Sequence, residues 1–241
     1  MELKYTSIIL SKYDISETDR IYDFYTKEDG RIRAIGRGVR KAKAKLAGNL
    51  ESLTLADVFI SKNRGMGNIT GVIPLDGFIS AKTDLVAIDN IFFALSYFDK
   101  LITGEEKDEK IFLLLLEYFR VINELSQEKK SEQKAETITL GFLFNLAGML
   151  GYKIITEYCV NCEQKICSGN NNFFSAKRGG VLCASCAKLK TENIQNSDSC
   201  IKLIRIFSKN KIGSFSKLRV PKKDIAGLKL IWRELFNWIH D

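Results

Sequence analysis

"RIYDFYTKEDGRIRAIGRGVRKAKAKLAG", residues 20–48, joins two strand patterns and then runs into cations. In "RIYDFYT" and "RIRAIG", apolar and polar residues alternate, the period that gives a strand one buried face. The intervening "TKEDGR" carries Asp29-Gly30, a turn signal, so the stretch predicts a β-hairpin. Beyond it the charges are one-sided. Arg31, Arg33, Arg37, Arg40, Lys41, Lys43 and Lys45 occur with no acid between Asp29 and Glu51. Like charges so close repel unless solvent or a polyanion screens them, and a phosphate chain does so through Arg forks and Lys point charges. Gly36 and Gly38 are expected to let the backbone approach such a ligand. Phe24, Tyr25 and Phe59 are candidate stacking residues if they share the ligand's face; the plain alternative is a solvated loop with Phe24 and Phe59 in the core.

Residues 1–80 continue the strand pattern. "YTSIILSKYD", "LTLADVFISK" (53–62) and "RGMGNITGVIPLDGF" (64–78) are further alternating or glycine-marked segments. About five short strands in this length suit a small barrel or sandwich. Near Ser80 the period changes to that of helices, predicted over 84–102, 108–127, 134–152, 197–209 and 221–240. Asp84 and Ser197 stand at capping positions, Glu105, Glu106 and Asp108 lie where a helix dipole favours acids, and Pro221 opens the last helix. The expected class is α+β: a small barrel or sandwich over 1–80, then a helical domain over 81–241 with an insertion at about 157–190.

That insertion holds five of the six cysteines. Cys159-Val-Asn-Cys162 and Cys183-Ala-Ser-Cys186 are two C-x-x-C turns separated by twenty residues. Two such turns facing each other make a tetrahedral thiolate site, which suits Zn²⁺. Four protein ligands leave no open position, so the metal is expected to be structural. Gly179-Gly180 is expected to supply the positive φ of the intervening turn. Lys153, Lys165, Lys177, Arg178, Lys188 and Lys190 surround the site in sequence. Cys167 reads as a free loop thiol, and Cys200 lies on an apolar helical stripe.

Composition narrows the function classes. The 241 residues carry net charge +8, distributed as +3 over 1–80, −4 over 81–150 and +9 over 151–241. Cationic ends point to a polyanion partner. The single histidine, His240, stands next to the last residue, which disfavours triad hydrolases and His-ligated catalytic metal. No apolar run reaches the roughly 18 residues of a membrane span, and the opening segment lacks a signal-peptide plan. A cytoplasmic, non-enzymatic, nucleic-acid-binding protein is expected.

The order of these features resembles the RecO family of bacterial recombination mediators. "YTSIILSKYDISETD" resembles its opening strand and acidic turn, with Glu17 and Asp19. Thr26, Gly30, Gly36, Gly38, Arg37, Arg40, Lys41 and Lys43 fall on its hairpin and basic loop. "YCVNCEQ…FFSAKRGGVLCASC" resembles its cysteine block. The resemblance implies an OB-fold-like β-barrel over 1–80 and a helical domain bearing a four-cysteine zinc knuckle, with single- and double-stranded DNA binding, strand annealing, and a nucleoid-associated location. It also implies partnership with RecR, with the acidic C-terminal tail of the single-strand-binding protein, and functionally with RecA and RecF. The alternatives are an RNA- or ribosome-associated zinc-ribbon protein, which would share the charge and the cysteines, and an enzyme using Cys167 as a reactive thiol.

Overall fold

The computed structural model describes residues 1–41, 46–62, 65–104, 107–128, 132–169, 172–188 and 194–240. Lys43, Lys45, Lys190, Glu105 and Glu106 lie outside these residues.

The N-terminal strands are β1 (Glu2–Asp14), β2 (Arg20–Thr26), β3 (Gly30–Gly36), β4 (Thr54–Ser61) and β5 (Gly67–Asp76). They close in the order β1-β2-β3-β5-β4, with β3 parallel to β5 and the other pairs antiparallel. This five-strand order fits an OB-type sheet. The hairpin expected from residues 20–36 forms, Thr26 pairing with Gly30.

Because strand side chains alternate, one wall serves two cores. Inward, Tyr5, Ile9, Tyr22, Phe24, Ala34, Val58 and Ile60 fill the closed sheet. Outward, Ile8, Leu10, Tyr25 and Leu55 join the core of the helical region, where Tyr25 meets Phe98 edge-on at 5.1 Å. The barrel is thus packed onto the helices through one side of its wall.

The helical region comprises α1 (Ile79–Thr83), α2 (Leu85–Leu101), α3 (Glu109–Gln127) and α4 (Glu132–Met149), then α5 (Ala184–Ala187), α6 (Asp198–Lys209) and α7 (Lys222–His240). Asp84 accepts bonds from the Val86 and Ala87 N–H groups, Asp108 from Lys110 and Ile111, and Ser197 from Cys200, so three helices begin at side-chain caps. α4 is apolar nearly all round and is correspondingly central, touching α2, α3, α6 and α7. Its buried Thr139 hydroxyl bonds back to the Ala135 carbonyl and meets the Tyr118 hydroxyl at 3.0 Å, which satisfies both. The third predicted helix, at 134–152, ends at Met149 instead, where the chain turns through Gly151. A 3-10 turn at Ile212–Lys217, which has no sequence signature, places Phe215 against Phe207.

The cysteine segment forms its own small layer: β6 (Asn172–Ser175), β7 (Gly180–Leu182) and β8 (Ile194–Asn196), in the order β7-β6-β8. Its core is slight, made of Cys159, Ile166, Val181, Leu182, Ala187 and Ile201.

Candidate nucleic-acid face and thiolate centre

β3 presents Arg31, Arg33 and Ile35 on the strand's outer side, since Ala34 and Gly36 point inward and are buried, and Arg37 follows in the turn. The structure separates these arginines. Arg31 is committed inside the molecule. Its Nη2 lies 2.7 Å from Oδ2 of Asp23, a carboxylate with no exposure, and 3.1 Å from Oδ1 of Asp99. Its Nη1 donates to the carbonyls of Asp99 and Ile102, at the C-terminal end of α2. A cation there meets the negative end of the helix dipole. Arg31, counted with the phosphate contacts by its place in the sequence, is a bolt between barrel and helix.

Arg33 is 57% exposed, and its Nε lies 3.4 Å from the same Asp23 oxygen. Arg37 is exposed and donates to Asn68 Oδ1 at 2.7 Å. Arg40 donates to the Ser16 carbonyl and lies 3.4 Å from Asp14, whose other oxygen is held by Arg20 at 2.5 Å. Lys41 is exposed. Among the described residues, no carboxylate forms an ion pair with Arg37 or Lys41. Arg33 also lines a cleft of about 560 Å³ between barrel and helices, with Lys62 across it. Lys62, just past the end of β4, lies outside the basic run at 31–45, so the sequence does not single it out.

The basic turn after β3 is pinned to the β1–β2 loop. Asp19 Oδ1 accepts the Gly38 N–H at 2.8 Å, and the Arg40 N–H donates to the Thr18 carbonyl. The Gly38 N–H and the Thr18 hydroxyl hold the Asp19 carboxyl below its usual range, with Arg37 and Lys41 adding a weaker pull. Both glycines answer to the fold rather than to a ligand. Gly38 has φ 65°, and a Cβ at Gly36 would meet the Tyr22 ring at 2.8 Å and Val39 at 2.9 Å. The aromatic candidates are likewise accounted for: Phe24 fills the barrel and Tyr25 packs on Phe98, so neither ring faces solvent. Phe59 is half-buried.

The four C-x-x-C cysteines come together. Their sulfurs lie within 4.8 Å of one another, and Cys162 and Cys183 are 3.8 Å apart. Thiolates at about 2.3 Å from a shared tetrahedral metal would be about 3.8 Å apart, so the set could hold a metal ion. Local structure explains the convergence. Residues 157–166 form a tight hairpin through the Glu163–Cys159 and Cys159–Gln164 backbone bonds, while Cys183 opens α5 at the end of β7. The two halves join where the Val160 N–H donates to the Val181 carbonyl. Gly179 has the expected positive φ, 67°. Gly180 is required by contact instead, since a Cβ there would lie 2.5 Å from the Ile155 oxygen.

The donor set favours thiolate at Cys159. Burial opposes ionisation, but N–H groups of Cys183, Asn161 and Cys162 outweigh it and hold the thiol at about 6. Cys162 is pushed up: the Gln164 N–H favours its thiolate, yet the Cys159, Cys186 and Cys183 sulfurs together prevail. Four like charges this close ionise together only around a cation. Asn161, itself bonded by Arg178, donates to Cys186 Sγ at 3.3 Å. Cys167 is exposed, stands outside the cluster and points at the Lys165 carbonyl; Cys200 is buried against α7, donating to the Asp224 carbonyl. Among the described residues, no helix is long and apolar enough to cross a membrane.

A closed small sheet with exposed cations, seated on a helical body whose four converging cysteines could hold a metal ion, defines the class of two-part protein to which this chain belongs. The comparisons with known proteins narrow that class. The family model "Recombination protein O N terminal" matches residues 1–78, and "Recombination protein O C terminal" matches 83–238; the chain belongs to the RecO family. It is 28% identical to the DNA repair protein RecO of Dehalococcoides mccartyi (strain 195), over 99% of this chain and 90% of that protein. It is 29% identical to the DNA repair protein RecO of Roseiflexus sp. (strain RS-1), over 97% and 79%. With the protein of the same name from Halalkalibacterium halodurans, it shares 22% over 97% and 88%.

Proposed function

We propose that this chain is a non-enzymatic mediator of DNA repair and homologous recombination in the bacterial cytoplasm. It binds single- and double-stranded DNA, anneals complementary strands, and helps load a recombinase of the RecA type onto strands coated by the single-strand-binding protein. The observation that carries this reading is the barrel's open cationic side, Arg33, Arg37 and Lys41, in a chain matched along its length by the RecO family. Cations on a rigid sheet screen two phosphate backbones at once, so paired strands no longer repel each other strongly. Contacts of this kind grip the backbone and read little sequence.

The thiolate centre holds structural Zn²⁺ through Cys159, Cys162, Cys183 and Cys186, all four positions being filled by protein. Family resemblance supports RecR and RecF as further partners. For the acidic tail of the single-strand-binding protein, the best-suited seat is a cleft of about 330 Å³ lined by Lys134, Leu218, Arg219, Val220 and Pro221, which pairs apolar walls with two cations. Replacing Lys134 and Arg219 with Glu is expected to abolish binding of an acidic, Phe-ended peptide in fluorescence anisotropy while leaving DNA binding intact. Peptide affinity unchanged by the double replacement would remove this cleft from the account.

The barrel side is tested by replacing Arg33, Arg37 and Lys41 with Ala. Each phosphate contact on a single strand contributes about 0.7 to the slope of log K against log salt. The triple variant is therefore expected to flatten that slope by about 2 and to lose at least tenfold in affinity at moderate salt. A slope equal to that of the unmodified protein would contradict the assignment.

A further inference from the structure

The outer face of β1–β3 is only partly covered by helices. Cross-strand register divides it into rows. Ile8, Tyr25 and Arg31 form the row that meets α2. Ser11, Asp23 and Arg33 form the next. Beyond them, Tyr13, Ile21 and Ile35 lie side by side. Tyr13 is 50% exposed and the two isoleucines are half-buried. The Ser11 hydroxyl donates to the Tyr13 hydroxyl at 2.9 Å, which fixes the ring along the sheet. Arg33 stands two residues before Ile35 on the same outer face, roughly 6–7 Å along the strand, and Arg37, in the turn after β3, donates to Asn68, the register partner of Ile35 on β5.

An aromatic ring beside two β-branched side chains, bracketed by arginines, has the parts of a single-strand site: a stacking surface for a base and cations for the flanking phosphates. A duplex keeps its base faces stacked inside and has no use for such a surface. Three side chains are also far short of the roughly 800 Å² that a stable protein partner covers on each side. We propose that Tyr13, with Ile21 and Ile35 beside it, is a base-stacking platform that makes the barrel prefer single strands, Arg33 and Arg37 taking the adjoining phosphates. This rests on the DNA-binding reading above and adds to it a base contact and a strand preference.

The test compares oligo(dT) with an abasic strand of equal length, and hence equal phosphate charge, by fluorescence anisotropy at fixed salt. The unmodified protein is expected to bind oligo(dT) about tenfold more tightly, the lower part of the range for one stacked base. Tyr13→Ala is expected to bring oligo(dT) down to the abasic level and to leave duplex affinity unchanged; Tyr13→Phe, which keeps the ring, is expected to retain the preference. Equal binding of the two strands by the unmodified protein, or a preference that survives Tyr13→Ala, would overturn the platform while leaving the cationic site standing. Absence of binding to either strand would overturn both.

Discussion

Arg31→Ala is expected to lower the stability of the protein by about 3–5 kcal/mol, the cost of leaving a buried carboxylate without its cation. Asp23 has no exposure, and Arg31 is its closest cation, at 2.7 Å against 3.4 Å for Arg33. The same side chain ties the barrel to α2 through two carbonyls and Asp99, so its loss also loosens the junction. At roughly 2–4 °C per kcal/mol for a chain of this size, the melting temperature should fall by about 6–20 °C. The double replacement Asp23→Leu with Arg31→Met, which removes both charges, should recover much of the loss. Calorimetry of the two variants and the unmodified protein decides the matter; an Arg31→Ala protein that melts with the unmodified one would show that the ion pair does not hold the domains.

Cys183→Ser is expected to release the metal and unfold the layer around it. Among the described residues, that layer has a buried core of six side chains, too few to hold it by burial alone. Structural zinc contributes an apparent binding free energy of about 10–16 kcal/mol in small peptides, and what is bound only when folded counts toward folding. Metal analysis should find about one equivalent of zinc in the unmodified protein and a small fraction of that in the variant. Hydrogen exchange should rise sharply across 155–188 and little in α3 and α4. An unmodified protein purified without metal yet fully protected in that segment would contradict the bracing role.

Much of the fold was legible from local pattern. The hairpin at residues 20–36 follows from alternation and a turn signal, and the caps at Asp84 and Ser197 mark helix starts that the structure reproduces to the residue. The cysteine spacing anticipated the convergence of four sulfurs because two C-x-x-C turns have few other uses. Sequence could not tell which cations were free. Arg31 and Arg33 differ by one alternation step along β3, yet only Arg31 lies under α2, and that depends on how the barrel sits on helices far away in the chain. The aromatics failed for the same reason. Tyr25 does face outward, but outward there means against Phe98. Tyr13, half-exposed at the far end of the same face, was passed over because nothing local distinguishes it.

The most direct test of the central claim is strand annealing by the zinc-loaded protein, measured with complementary oligonucleotides in the presence and absence of the single-strand-binding protein. The account predicts rapid annealing by the unmodified protein and near-loss in the Arg33→Ala, Arg37→Ala, Lys41→Ala variant, with zinc content and melting temperature unchanged. A triple variant that anneals as fast as the unmodified protein would contradict it.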